Sequence, residues 1–188
     1  MIIRNTSRYP DDEVRDLVQF ATEEMDTSRV CVNVKNCSSA FAGRAYQTVP
    51  RMSNAPRSCQ CLVVLRIGAP EQFPRSNEVI RYKWLRALPG EPYDVRTVRS
   101  YGRSQGGVLV SHLERYVEVR QPYGGKKSPV YVCANWQEGL IAIAAHEMKH
   151  IQQFKNKLAC RESSCERAAF ERLKAWRALC AVRGVAAD

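Results

Sequence analysis

Ile143-Ala144-Ala145-His146-Glu147-Met148-Lys149-His150-Ile151 decides how this chain is read, because it sets two histidines four residues apart inside an apolar run. On a helix, positions i and i+4 lie one above the other, so both imidazoles can reach one tetrahedral Zn²⁺ while Glu147 can reach a water beside it. The chain has three histidines, and two of them are spent on this HExxH pattern. The flanking residues predict the helix itself, from Trp136 or Gln137 to about Leu158. At about 100° per residue, Leu140, Ile143, Ala144, Met148, Ile151, Phe154 and Leu158 share one arc, with His146 and His150 at its flanks. Glu147 falls inside the arc, where an ionised carboxylate is costly without a metal or partner.

A catalytic zinc site takes three protein ligands and keeps one position open. His146 and His150 supply two, and the third is sought among Glu166, Glu162, Cys165, Cys160 and His112. Glu166 is the expected ligand. It sits on the next predicted helix, from Ser163 or Ser164 to Cys180 with a stop near Gly184, in a stripe with Ala169, Phe170, Leu173, Trp176 and Cys180. The competing reading of Glu166 is a capping box with Ser163, in which the glutamate only bonds the N-cap amide. Glu162 becomes the ligand if the helix starts sooner. Gln153, one turn beyond His150, is a candidate to brace an imidazole, with a solvated glutamine as the alternative. His112, Tyr131 and Tyr116 are candidates to donate to a developing oxyanion.

Outward from this region the chain reads as one domain of 188 residues, 45% of them hydrophobic, with an elaboration over about 68–128. Pro10-Asp11-Asp12 opens an amphipathic helix that carries Val14, Leu17, Val18, Ala21 and Met25 inward. Strands are expected at Val30–Val34, Phe41–Val49, Cys61–Leu65 and Val130–Cys133, and 108–119 has strand-like or mixed periodicity. Proline and glycine punctuate 68–125. The expected class is therefore α+β: an N-terminal helix, a small mixed sheet, the HExxH helix and a C-terminal helix.

The first residues carry no long apolar segment, and no run approaches the roughly eighteen apolar residues that a membrane span requires. A soluble, unexported, cytoplasmic protein with no membrane partner is expected. Without an export signal, the eight irregularly spaced cysteines read as reduced thiols. The net charge of +10, from 29 Lys and Arg against 19 Asp and Glu, favours anionic partners and makes nucleic acid a candidate. Arg81-Tyr82-Lys83-Trp84-Leu85-Arg86 interleaves basic and aromatic residues as such a surface would, and as a solvated face also does.

An HExxH helix followed by a helix with an inward glutamate, here in Glu166-Arg167-Ala168-Ala169, resembles the gluzincin group of zinc metallopeptidases. The upstream helix, strands and Gly43-Arg44-Ala45-Tyr46 segment are similar to the minimal zincin cores of the SprT-like and ImmA/IrrE-type families. The specific motifs cover about residues 137–176. Two departures accompany the likeness: no histidine follows the HExxH, as SprT-like proteins usually have, and Glu166 follows His150 sooner than in several gluzincin families. The resemblance implies a minimal zincin-like fold and one catalytic Zn²⁺. It also implies hydrolysis of a protein or peptide substrate, with Glu147 taking the proton of water and passing it to the leaving amine. The rival expectation is a nucleic-acid-binding or scaffold protein on the same fold, with a structural metal or none.

Overall fold

The computed structural model describes the backbone of residues 1–86, 98–105 and 108–183, and the side chains of 1–80 and 119–183. In chain order its elements are β1 (Ile2–Asn5), α1 (Asp11–Thr22), β2 (Val30–Asn36), β3 (Phe41–Tyr46), β4 (Cys61–Ile67), β5 (Arg75–Ser76), β6 (Glu78–Arg86), β7 (Val98–Gln105), β8 (Val108–Pro122), β9 (Val132–Cys133), α2 (Trp136–Lys155) and α3 (Glu162–Arg183). The class is α+β, with three helices and a mixed four-stranded sheet among the described residues. No helix among them is long and apolar enough to cross a membrane.

The described chain divides into two compact units, 1–77 with 122–188, and 78–121. The second is a three-stranded sheet in the order β6-β8-β7, in which Val98–Gln105 runs antiparallel to the Val108–Arg115 part of β8. It lies within the span expected as an elaboration, and it resolves 108–119 as strand.

In the first unit the sheet order is β1-β2-β4-β3, parallel except for the antiparallel edge strand β3. One face of β2 and β4 is covered by the helices along its length and the other only in part, around Cys31, Leu62 and Val64, so β4 reads as an apolar run while β2 alternates toward its end. Val30, Val32, Val34, Val63, Leu65 and Ile67 face the helices in the main core. α1 forms because three acids stand in its first turn, Asp11, Asp12 and Glu13, where the helix dipole favours them, and because Val14, Leu17, Val18 and Ala21 make one buried stripe.

α2 is buried almost all round, since it packs against the sheet and α1 on one side and α3 on the other. Asn135 caps it by accepting from the Glu138 amide at 3.0 Å, and Glu138 returns a bond to the Ala134 amide at 2.7 Å. Glu138 also takes Arg177 of α3 on both carboxylate oxygens, at 2.7 and 2.6 Å, which ties the start of α2 to the middle of α3. The predicted extension of α2 to Leu158 is corrected: the helix ends at Lys155, and Leu158 is 62% exposed beyond it. α3 begins at Glu162, ahead of the expected serine caps. All eight cysteines are free thiols.

Candidate metal centre

The HExxH residues occupy the middle of α2, and the first turns of α3 lie over them. His146 Nε2 and His150 Nε2 stand 3.2 Å apart, and Glu162 Oε2 lies 3.2 Å from the first and 3.4 Å from the second. Three donors from two helices thus form a nearly equilateral triangle. Zinc bonds of about 2.0–2.1 Å at tetrahedral angles set donor atoms about 3.3–3.4 Å apart, so the separations of the trio match those of donors around one Zn²⁺. The histidine side chains are about nine-tenths buried or more, whereas Glu162 is 46% exposed, so the triangle opens to solvent on one side as a catalytic site requires.

Both Nδ1 atoms are engaged elsewhere. His146 Nδ1 lies 3.0 Å from Glu166 Oε1, and the other oxygen of Glu166 accepts from Asn77 Nδ2 at 2.6 Å. Tyr131 is the third partner of that carboxylate. Burial alone would raise the Glu166 carboxyl, but the bonds from His146, Asn77 and Tyr131 outweigh it and hold the group below its ordinary value. Glu166 therefore stands behind His146, turning the ring so that Nε2 faces the trio. It neither joins the Nε2 pair, as the expected ligand would, nor bonds the Ser163 amide as a cap.

His150 Nδ1 faces two sulfurs, Cys160 at 3.1 Å and Cys165 at 3.5 Å. An Nδ1–H donating to sulfur leaves the Nε2 lone pair free. The sulfurs also define two further donor sets, His146 with His150 and Cys165, and His150 with Cys160 and Glu162, each within 4.8 Å. Burial pushes the Cys165 thiol up to about 12 in the metal-free chain, so binding a metal through it would have to release that proton. Burial and the neighbouring His146 together lower the pKa of His150, the state that ligation needs.

Glu147 is buried against the edge strand β3. Burial pushes its carboxyl up to about 7, against the opposing effects of His146 and a hydrogen bond from the Ala45 backbone. Gly43 permits this approach: a β-carbon there would lie 2.5 Å from Glu147 Cγ and 2.7 Å from Ile143 Cγ1.

The remaining sequence candidates fall as follows. Gln153 is buried beside His150, accepts from the Arg161 amide at 3.2 Å and donates to Ser164 Oγ at 2.6 Å, so it braces the start of α3 as well as the imidazole. Tyr131, a candidate oxyanion donor, is instead committed to Glu166. The side chains of His112 and Tyr116 lie outside the described residues.

Two residues of this site escaped the sequence reading. Asn77 joins Glu166 to the Pro129 carbonyl at 3.0 Å and accepts from the Tyr131 amide at 3.0 Å, so it anchors the wall behind His146. Tyr123 meets the His146 ring edge-on at 6.1 Å. Neither belongs to a periodic stripe or a motif, so no local pattern marks them. The turn carrying Tyr123 comes close to α3 through Gly124, where a β-carbon would lie 2.9 Å from Glu166 Cγ and 3.0 Å from the Glu162 carbonyl carbon. Comparison of the chain with family models, curated proteins and solved structures finds no match.

Proposed function

We propose that this chain is a zinc-dependent metallopeptidase of the zincin kind, in which His146, His150 and Glu162 hold one catalytic ion and Glu147 is the general base and acid. The observation that carries the reading is the triangle of Nε2, Nε2 and Oε2 atoms with edges of 3.2, 3.2 and 3.4 Å. The third ligand is thus taken to be Glu162 in place of Glu166. Zinc in such a site supplies Lewis acidity toward a carbonyl oxygen and toward water.

The chain's own groups do the rest. Glu147, buried and with its carboxyl pushed up to about 7 in the metal-free chain, would take a proton from the attacking water and deliver it to the leaving amine. Glu166, Asn77 and Tyr131 hold the His146 ring in the ligating tautomer. β3 is an edge strand whose free side can take an extended peptide by main-chain hydrogen bonds, which would carry a scissile carbonyl past Glu147.

The test compares zinc-loaded wild type with Glu147→Gln on an unfolded protein substrate. Both should carry one zinc, and the wild type should cleave about 10²- to 10⁴-fold faster. Equal rates, or no cleavage by the zinc-loaded wild type, contradict the reading.

A further inference from the structure

The sheet face turned away from α1 and α2 is built in rows by strand register. Arg4 aligns with Asn33, Val64 and Arg44, and Lys35 aligns with Arg66 on the neighbouring strand. In a third row, Cys31, Leu62 and Tyr46 are covered by the segment between β3 and β4, which adds Cys59, Val49 and Ala55 to form a second small core. Between that covering segment and the open rows lies a cavity of about 480 Å³, within the range of ligand pockets. Arg4, Lys35 and Arg66 line it, and among the described residues no acidic one does.

The four cations of these rows, Arg4, Lys35, Arg44 and Arg66, are all exposed. Arg4 is tethered to the Asn54 carbonyl, and Arg44 lies over the Tyr46 ring at 5.2 Å. Lys35 and Arg66 have no hydrogen-bond or ion-pair partner among the described residues, although they stand directly opposite each other. Like charges placed opposite on adjacent strands destabilise a sheet, so an anionic occupant relieves this arrangement.

The surroundings favour a nucleic-acid strand over other anions. Met52, 97% exposed, borders the cations together with the partly buried Tyr46 ring and the Arg44 guanidinium over it, offering a soft apolar surface and a cation–ring pair for a base. Asn33, Thr6 and Asn54 add polar groups around them. A polyglutamate segment has no ring to use these surfaces, and a lipid bilayer cannot enter a cavity walled by a covering segment. A duplex is likewise too broad for it.

We propose that this pocket binds single-stranded nucleic acid, with phosphates on Lys35 and Arg66 and a base against Tyr46 and Met52. The site does not depend on the metal centre, and Glu147→Gln should leave it unchanged.

The test is fluorescence anisotropy of a labelled, mixed-sequence, single-stranded oligonucleotide with the full chain, titrated at several salt concentrations. Log affinity should fall against log salt with a slope of at least about −1.4 for the two contacts on Lys35 and Arg66, and about −2.8 with Arg4 and Arg44 each taking a further phosphate. The Lys35→Gln/Arg66→Gln variant should reduce that slope by about 1.4 and weaken binding roughly 25-fold at 0.1 M salt. Both side chains are exposed, so its thermal midpoint should not fall. A control, Lys126→Gln/Lys127→Gln, removes equal charge from an exposed turn elsewhere and should change affinity less than about twofold. An equal loss in the control, salt-independent binding, or tighter binding to duplex, polyglutamate or anionic vesicles would overturn the proposal.

Discussion

Glu147 stands where a carboxylate is least at ease, and its cost can be measured. Burial holds its carboxyl up at about 7, against an ordinary 4.5. The folded chain therefore keeps this proton across a pH window in which the unfolded chain has lost it, so the contribution of Glu147 to stability falls as pH rises from about 4.5 to about 7 and is level above. In protein stripped of metal by a chelator, Glu147→Gln should be more stable than wild type by up to about 3 kcal/mol at pH 8, and by nothing near pH 4. Urea unfolding at the two pH values reads this directly, and a pH-independent difference would contradict it. The closeness of His146 and His150 was legible in their spacing, and α2 does bring their Nε2 atoms to 3.2 Å from each other. The choice between Glu162 and Glu166 was not, since residues four apart share a helix face. What separates them is the start of α3 and the distant Asn77 and Tyr131, which claim Glu166 for the Nδ1 side of His146.

At the scale of elements, the site depends on how closely β3 approaches α2. Gly43 allows that contact, and Gly43→Ala should cost about 1–3 kcal/mol by overlap with Glu147 and slow cleavage at least tenfold with zinc retained. Combined with Glu147→Ala, which removes the overlapping Cγ and Oε1 but leaves the Ile143 Cγ1 overlap, part of that stability loss should vanish. Additive losses would mean that the two side chains do not meet. α1, β2, β4 and α2 were legible because each carries its own periodicity or an unbroken apolar run. β1 was not, because its four residues are ordered by pairing with β2 rather than by any pattern of their own. The start of α3 was missed for a related reason: two serines looked like caps, yet Ser164 instead accepts from Gln153 and bonds back to the Arg161 carbonyl.

At the scale of the whole molecule, the class α+β followed from composition and pattern, and so did the excess of positive charge. Its concentration on one sheet face did not, since Arg4, Lys35, Arg44 and Arg66 become neighbours only through the register of four strands. The same folding brings α2 and α3 together at the candidate metal centre, with His146 and His150 from one helix and Glu162 from the other. An ion bound there clamps the two helices and should stabilise the entire first unit by mass action. Thermal unfolding under zinc titration, for wild type, Glu162→Ala and Glu166→Ala, is therefore the most direct test of the centre. Wild type should gain about 2.7 kcal/mol when free zinc is a hundredfold above Kd, roughly 5–10 °C in Tm. Glu166→Ala should require about 10- to 100-fold more zinc for the same gain, and Glu162→Ala should show almost none. A wild type indifferent to zinc would contradict the metal centre itself, and a Glu162→Ala variant that responds like wild type would take the third ligand away from Glu162.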